Sequence, residues 1–264
     1  LANGLGGRLY AWLPVLDALA DRYRIVTWDY RGLFESEAHL DRRRLGVPQH
    51  AEDLAAVLDA EGIDAAHLCG WSMGVQVSLE FSLRRPDRVR SLVLINGTYG
   101  QALSTAFQPL MRVPLPPTVL HAVLEGVADR PTLAAGVGQA ARAAAGSAFW
   151  LRKRLGPRWR SHFLRGIRQY VNDVMATHKA NYLHLFQQID AHSVYHLLPE
   201  VQAPTLVVSG GLDFLTPAYQ SRAMARRIPG AKHLSIPLGT HFVLLEYPER
   251  VVAAIEKHLA RVER

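Results

Sequence analysis

The sequence predicts an α/β fold, a mostly parallel central sheet flanked by helices. Three observations carry this reading. Apolar runs of strand length recur at 23–28, 65–70, 91–96, 204–210 and 233–236. Most run directly into turn-forming residues, as at Asp29, Gly70, Asn96-Gly97 and Gly210-Gly211. Helical patterns follow two of them, at 75–83 and 218–227. Strand and helix alternate, and parallel strands need such crossover connections.

The elements can be justified in order. The opening Leu1-Ala2-Asn3-Gly4-Leu5-Gly6-Gly7 is glycine-rich, which suits a tight loop or a flexible end. The strand at 23–28 runs into Asp29-Tyr30-Arg31-Gly32. There Asp29 and Arg31 read as a structural pair that orders the strand end. The run at 65–69 leads into Gly70-Trp71-Ser72-Met73-Gly74 and then a helix. A serine at a strand–turn–helix junction projects its hydroxyl at the sheet edge, and flanking glycines permit the sharp backbone. The strand at 91–95 ends at Asn96-Gly97-Thr98. The run at 204–210 reads as a buried parallel strand, with Asp213 after it in a loop closed by Pro217. The last strand leads to Gly239-Thr240-His241.

Ser72, Asp213 and His241 therefore each stand in a turn after an expected strand. In a parallel sheet such turns gather at one edge, so distant residues can meet. A serine hydroxyl is a poor nucleophile unless a neighbouring base takes its proton. Histidine supplies the base, and a carboxylate fixes its tautomer and stabilises the imidazolium. Each residue also has a plain alternative. Asp213 could cap the following helix. His241 is one of twelve histidines and is singled out by context alone.

Taken together, these motifs resemble the α/β-hydrolase fold superfamily, in its serine-nucleophile, esterase/lipase-like branch. The resemblance covers 1–98 and 200–264 well and the middle poorly. It implies that residues 1–7 form the oxyanion loop, with Asn3 where the family usually has histidine. The backbone N–H groups of Leu5 and Met73 would then form the oxyanion hole. The family's Asp-x-Arg-Gly matches Asp29 to Gly32, and Phe34 stands where a glycine is usual. Serine at position 72 excludes the branches that place aspartate at the elbow. The family's strand feeding the oxyanion loop is central to the sheet. Here it is reduced to Leu1-Ala2, so the N-terminal strands read as missing and the chain as truncated.

The resemblance further implies a hydrolase core at 1–98 and 200–264 and a helical lid insertion at 99–199. Helices are expected in the lid at 118–126, 134–148, 159–175 and 178–189. The implied activity is cleavage of a carboxylic ester through an acyl-enzyme, with no cofactor or metal. Trp71, Tyr99, Phe214 and Phe242 flank the motifs and would favour an apolar acyl group. For Trp71 and Phe242, core packing is an equal alternative. The same triad also serves thioesterases and carbon–carbon bond hydrolases. From another class, a ligand-binding protein could keep the fold with little turnover.

The formal charge of +7 falls entirely within 99–199, which holds eleven basic and four acidic residues. Seven of those bases lie between Arg152 and Arg168, near Trp150, Trp159 and Phe163. A solvated helix face, an acidic partner or anionic substrate, and an anionic membrane surface all suit such a cluster. Nucleic acid is not expected, because no recognition module accompanies the charge. His178, His184, His192 and His196 crowd one stretch, and the last two are spaced as zinc ligands on a helix would be. No cysteine or well-placed carboxylate completes a set, so no metal site is expected. Cys69 is the single cysteine, which excludes an internal disulfide and reads as a small buried hydrophobe. No apolar run reaches the roughly 18 residues of a membrane span. No signal peptide is visible. A cytoplasmic location is the resulting expectation.

Overall fold

The computed structural model describes residues 1–36, 41, 44–102, 157–177 and 179–264. The helices expected at 118–126 and 134–148, and the bases Arg152, Lys153 and Arg154, lie outside the described residues. Of the basic cluster, Arg165 and Arg168 stand exposed on their helix.

The described elements run α1 (Leu13–Leu19), α2 (Val47–Ala60), β1 (Ala66–Trp71), α3 (Met73–Arg84) and β2 (Val89–Ile95). Further along come α4 (Pro157–Ala176), α5 (Lys179–Ala191), β3 (Thr205–Gly210), α6 (Ala218–Arg227), β4 (Lys232–Ile236), α7 (Val243–Glu246) and α8 (Pro248–Val262). The four strands form one sheet in the order β1-β2-β3-β4, parallel throughout.

Alternation along the strands feeds two cores. Leu68, Leu92, Leu94 and Val207 face α2, α3 and α6, meeting Leu54, Leu58, Val75, Leu79 and Met224. Cys69, Val93, Ile95, Leu206 and Val208 face α1 and α8, meeting Trp12, Val15, Val251, Ile255 and Leu259. Successive strand residues point to opposite faces, so a sheet covered on both sides reads as continuous apolar runs. Cys69 is buried as expected, and burial pushes its thiol up to about 11.

One expected strand is corrected. Residues 23–28 do not pair into the sheet. A ladder needs a neighbour along its length, and among the described residues this segment has one only at Leu1 to Asn3. Ala2 bridges Gly70 of β1, and Leu1 N donates to Val26 O at 2.6 Å. Beyond that point a cleft of about 260 Å³, lined by Ile25, Val26, Leu54, Leu68 and others, separates residues 23–26 from β1. The expected pairing of Asp29 with Arg31 is also corrected. Asp29 accepts from Arg8 at 3.0 Å, while Arg31 Nε donates to Asp53 of α2 at 2.7 Å. Each orders a different contact. Phe34, in the place of a usual glycine, takes φ of 51°.

The elbow is built on close backbone approach. A Cβ on Gly74 would lie 2.1 Å from the carbonyl oxygen of Ala2, and one on Gly70 would lie 2.3 Å from that of Gly74. Only glycine lets β1, α3 and the opening loop share this space.

The chain just after β2 and the chain just after α5 come together in a short clasp. Gly100 bridges Ser193 antiparallel, Val194 N–H donates to Tyr99 O at 2.9 Å, and Gln101 N–H donates to His192 O at 3.2 Å. α5 ends at Ala191, so His192 is outside it and His196 falls in a short 3₁₀ segment. The two histidines therefore do not share a helix face. His192 instead bonds Gln76 and Glu80 of α3, each at 2.9 Å. Leu185 and Ile189 of α5 pack with Met73 and Val77, which fixes α5 beside the elbow. No described helix is long and apolar enough to cross a membrane.

His50 of α2 sets an acid limit on stability. Its side chain is fully buried, and burial outweighs the nearby Asp53 carboxylate and lowers its pKa to about 4. An unfolded imidazole takes up its proton near pH 6.5. Between these values the unfolded chain binds more protons, so stability falls as pH drops from about 6.5 towards 4. The full contribution is about 3 kcal/mol. Urea unfolding of the wild type and His50→Leu at pH 7 and pH 4.5 checks this. The wild type should lose about 2 kcal/mol more than the variant over that interval, and equal losses would remove His50 from the account.

Candidate active site

Ser72 sits between β1 and α3 with φ 56° and ψ −114°, a conformation rare for a residue with a Cβ. Its N–H donates to Ile95 O at 3.0 Å, and its carbonyl accepts from Val75 N–H at 3.0 Å. The surroundings thus hold a strained serine at the sheet edge, aimed at the turns that follow β3 and β4.

Those turns bring the other two residues. His241 Nε2 lies 3.0 Å from Ser72 Oγ, and His241 Nδ1 lies 2.9 Å from Asp213 Oδ2. The Asp213 side chain is fully buried. Its Oδ1 accepts from the N–H groups of Leu215 (2.9 Å) and Thr216 (2.8 Å). Its Oδ2 also accepts from Thr216 Oγ1 and Asn96 Nδ2, both at 2.6 Å. Burial alone would raise its pKa. The imidazole of His241 and the hydrogen bonds from His241 and Thr216 prevail, and hold the carboxyl below its usual value. An ionised carboxylate only accepts, so Nδ1 carries the proton and Nε2 presents its lone pair to the serine O–H.

The histidine loop is braced from below. Glu246 of α7 accepts from Thr240 N–H at 2.7 Å and Thr240 Oγ1 at 2.8 Å. Trp71 Nε1 donates to His241 O at 3.0 Å. The Trp71 side chain is buried, with its ring against Tyr170, His241 and Phe242 at centroid distances of 5.7–6.2 Å. A Cβ on Gly7 would come within 2.6 Å of that indole, so it lies directly against the opening loop. Phe242 is half-buried, 5.4 Å from Tyr170. Phe214 follows Asp213 directly and is exposed. Tyr99 sits shortly after β2, 4.8 Å from Tyr195.

The opening loop forms a turn closed by Gly7 N–H to Gly4 O at 2.8 Å, with Gly6 at φ 75°. Tyr170 of α4 donates to Leu5 O at 3.1 Å and pins that turn. Met73 opens α3, where the first amides have no intrahelical acceptor. Among the described residues, the Leu5 N–H donates to no backbone carbonyl. Asn3 points the other way, into the core. Its amide donates to Thr27 Oγ1 (3.2 Å) and Trp28 O (3.0 Å), and its Oδ1 accepts from Trp12 Nε1 at 2.9 Å.

Comparison with known proteins settles the family. A model of the alpha/beta hydrolase fold matches residues 1–248. The chain belongs to the α/β-hydrolase family. Among this hydrolase's relatives, proteins assigned the name carbamate hydrolase RutD are similar over most of their length. That of Azorhizobium caulinodans is 28% identical over 91% of this chain and 83% of its own. That of Klebsiella pneumoniae is 29% identical, with the same shares covered. Among solved structures, a thermophilic esterase from Thermogutta terrifontis superposes with a TM-score of 0.75 at 25% identity, covering all of this chain and 89% of its own. The enol-lactonase from Burkholderia xenovorans LB400 gives 0.75 at 23%, covering 98% and 89%. The latter shows the fold alone.

Several residues of this hydrolase's site lay outside the sequence reading. Asn96 was visible only as a turn residue after a strand. Thr216 and Glu246 stand three residues after Asp213 and five after His241, and nothing local marks their side chains as partners. Tyr170 belongs to a helix far away in sequence. Among the described residues, no group of three or more His, Cys, Asp or Glu is placed to hold a metal ion.

Proposed function

We propose that this hydrolase cleaves a carboxylic ester through an acyl-enzyme formed on Ser72. The observation that carries the reading is the hydrogen-bonded line from Ser72 Oγ through His241 to buried Asp213, at 3.0 and 2.9 Å. Ser72 Oγ attacks the ester carbonyl carbon as His241 Nε2 takes its proton. Asp213 offsets the imidazolium. The amides of Leu5 and Met73 receive the oxyanion, whose charge exists only in the tetrahedral intermediate. Collapse breaks the carbonyl–alkoxy bond, and His241 returns the proton to the leaving alcohol. Water then attacks the acyl carbon with His241 as base, and the acid and free serine are released. Trp71 serves as a brace of the histidine loop and the opening turn, while Phe242 and exposed Phe214 are the aromatic surfaces open to an apolar acyl group.

A second reading has its own support. The relatives named as carbamate hydrolases, matched over 83% of their length, suggest that the substrate carbonyl is that of a carbamate. The same line of residues would attack it, with an amine or ammonia leaving in place of an alcohol. A basic surface that includes exposed Arg165 and Arg168 would favour anionic substrates or partners.

The test is pre-steady-state turnover of p-nitrophenyl acetate beside ethyl carbamate. A burst of p-nitrophenol equal to the enzyme concentration, followed by a slower steady rate, is the expected result. Release of ammonia from the carbamate at a higher kcat/KM than the ester would move the assignment to the second reading. No burst and no steady turnover of either would favour a binding protein.

A further inference from the structure

We infer that Asn96 is a positioning residue that sets the alignment and working pH range of the triad. This rests on the reading of Ser72, His241 and Asp213 as the catalytic line. Asn96 follows β2 and is fully buried. Its Nδ2 donates to Asp213 Oδ2 at 2.6 Å and to Thr240 O at 2.8 Å. One amide thus ties the acid loop after β3 to the histidine loop after β4, at the residue just before His241. The oxygen it reaches is the one that accepts from His241 Nδ1.

Two features show that this placement is over-determined by its surroundings. Asn96 holds φ of 44°, in the left-handed region. Its Oδ1 is buried without a hydrogen-bond partner among the described residues. Both are destabilising locally. They persist because turning the amide over would set Oδ1 against the carboxylate oxygen of Asp213 and the carbonyl of Thr240. The two donor contacts decide the orientation.

The chemistry follows from the donor count. A neutral N–H on Oδ2 draws negative charge from the oxygen that stabilises the imidazolium. It also fixes the direction in which Asp213 faces the ring. The titratable groups around this point are Asp213 in the loop after β3, His241 in the loop after β4 and Glu246 of α7, which holds Thr240. Asn96 reaches all three directly or through one residue, without itself titrating.

Asn96→Asp exploits this. The substitution keeps size and shape, but the new group donates to Asp213 only while protonated. Once ionised, it puts two carboxylates at hydrogen-bond distance, and like charges so placed titrate as a strongly split pair. The experiment measures kcat and KM for p-nitrophenyl acetate from pH 5 to 9 in wild type, Asn96→Asp, Asn96→Ala and Ser72→Ala. Folded fraction is followed by circular dichroism at each pH. The expected kcat of Asn96→Asp is within about tenfold of wild type at low pH and falls at least tenfold further at high pH, where wild type is at its plateau, with KM unchanged. Asn96→Ala should lose roughly 10- to 100-fold in kcat at all pH values, with KM kept. A wild-type pH profile for Asn96→Asp would overturn the inference. So would losses in both variants that match the loss of folded protein. Ser72→Ala separates the two levels: if it retains turnover, the catalytic reading itself fails, whereas an inactive Ser72→Ala beside an unaffected Asn96→Asp sinks only the role of Asn96.

Discussion

Ser72→Ala is expected to lower kcat by about a millionfold while the protein stays folded. The hydroxyl is the only atom removed, and no acyl-enzyme can form without it. Binding and the amides of Leu5 and Met73 would still leave a residual acceleration of about 10³–10⁴ over water. The backbone at position 72 has φ of 56°, which alanine tolerates no worse than serine. The neighbouring contacts of Ile95 O and Val75 N–H are made by main chain and survive the change. Loss of activity with an unchanged melting temperature is therefore the outcome to look for. Turnover within about tenfold of wild type would mean that another group attacks the carbonyl, and the proposed mechanism would have to be abandoned.

Asp213→Asn should cost about 10⁴ in kcat with little change in KM. The physical reason is a conflict that neither orientation of the new amide resolves. If its NH₂ faces His241, Nδ1 must accept, and the proton moves to Nε2, which then cannot take one from Ser72. If its oxygen faces His241, its NH₂ meets the N–H groups of Leu215 and Thr216, which now point at Oδ1 from 2.9 and 2.8 Å. One donor is opposed to donors either way, around a side chain that is itself fully buried. A loss smaller than tenfold in kcat, in a protein shown to be folded, would demote Asp213 to the helix-capping role that sequence alone also allowed.

The sequence disclosed the parts of this molecule that repeat in one dimension. The runs that became β1, β2 and β3 were legible because strands covered on both faces are largely apolar, and 218–227 was legible to the residue. Gly70 and Gly74 flag the elbow because a Cβ at either place would strike backbone. The run at 23–28 misled for a three-dimensional reason: apolar, β-branched residues reach strand geometry only if a partner lies alongside. α2 was overlooked although Val47, Ala51, Leu54, Ala55 and Leu58 form its buried stripe at helical spacing. Asn96, Thr216, Glu246 and Tyr170 are polar residues whose partners come from other turns, and no local pattern announces such a meeting. Asn3 shows the converse. It departs from the family's usual histidine, yet its side chain is put to use in tying Trp12 to residues 27–28.

The bridge between Gly100 and Ser193 has a bearing on redesign. The bridge brings the two ends of the intervening chain together beside the parallel pair of β2 and β3. Grafting a different segment between those two anchor points would also remove Tyr170, which holds the opening turn at Leu5, so such an exchange has to keep α4 in place.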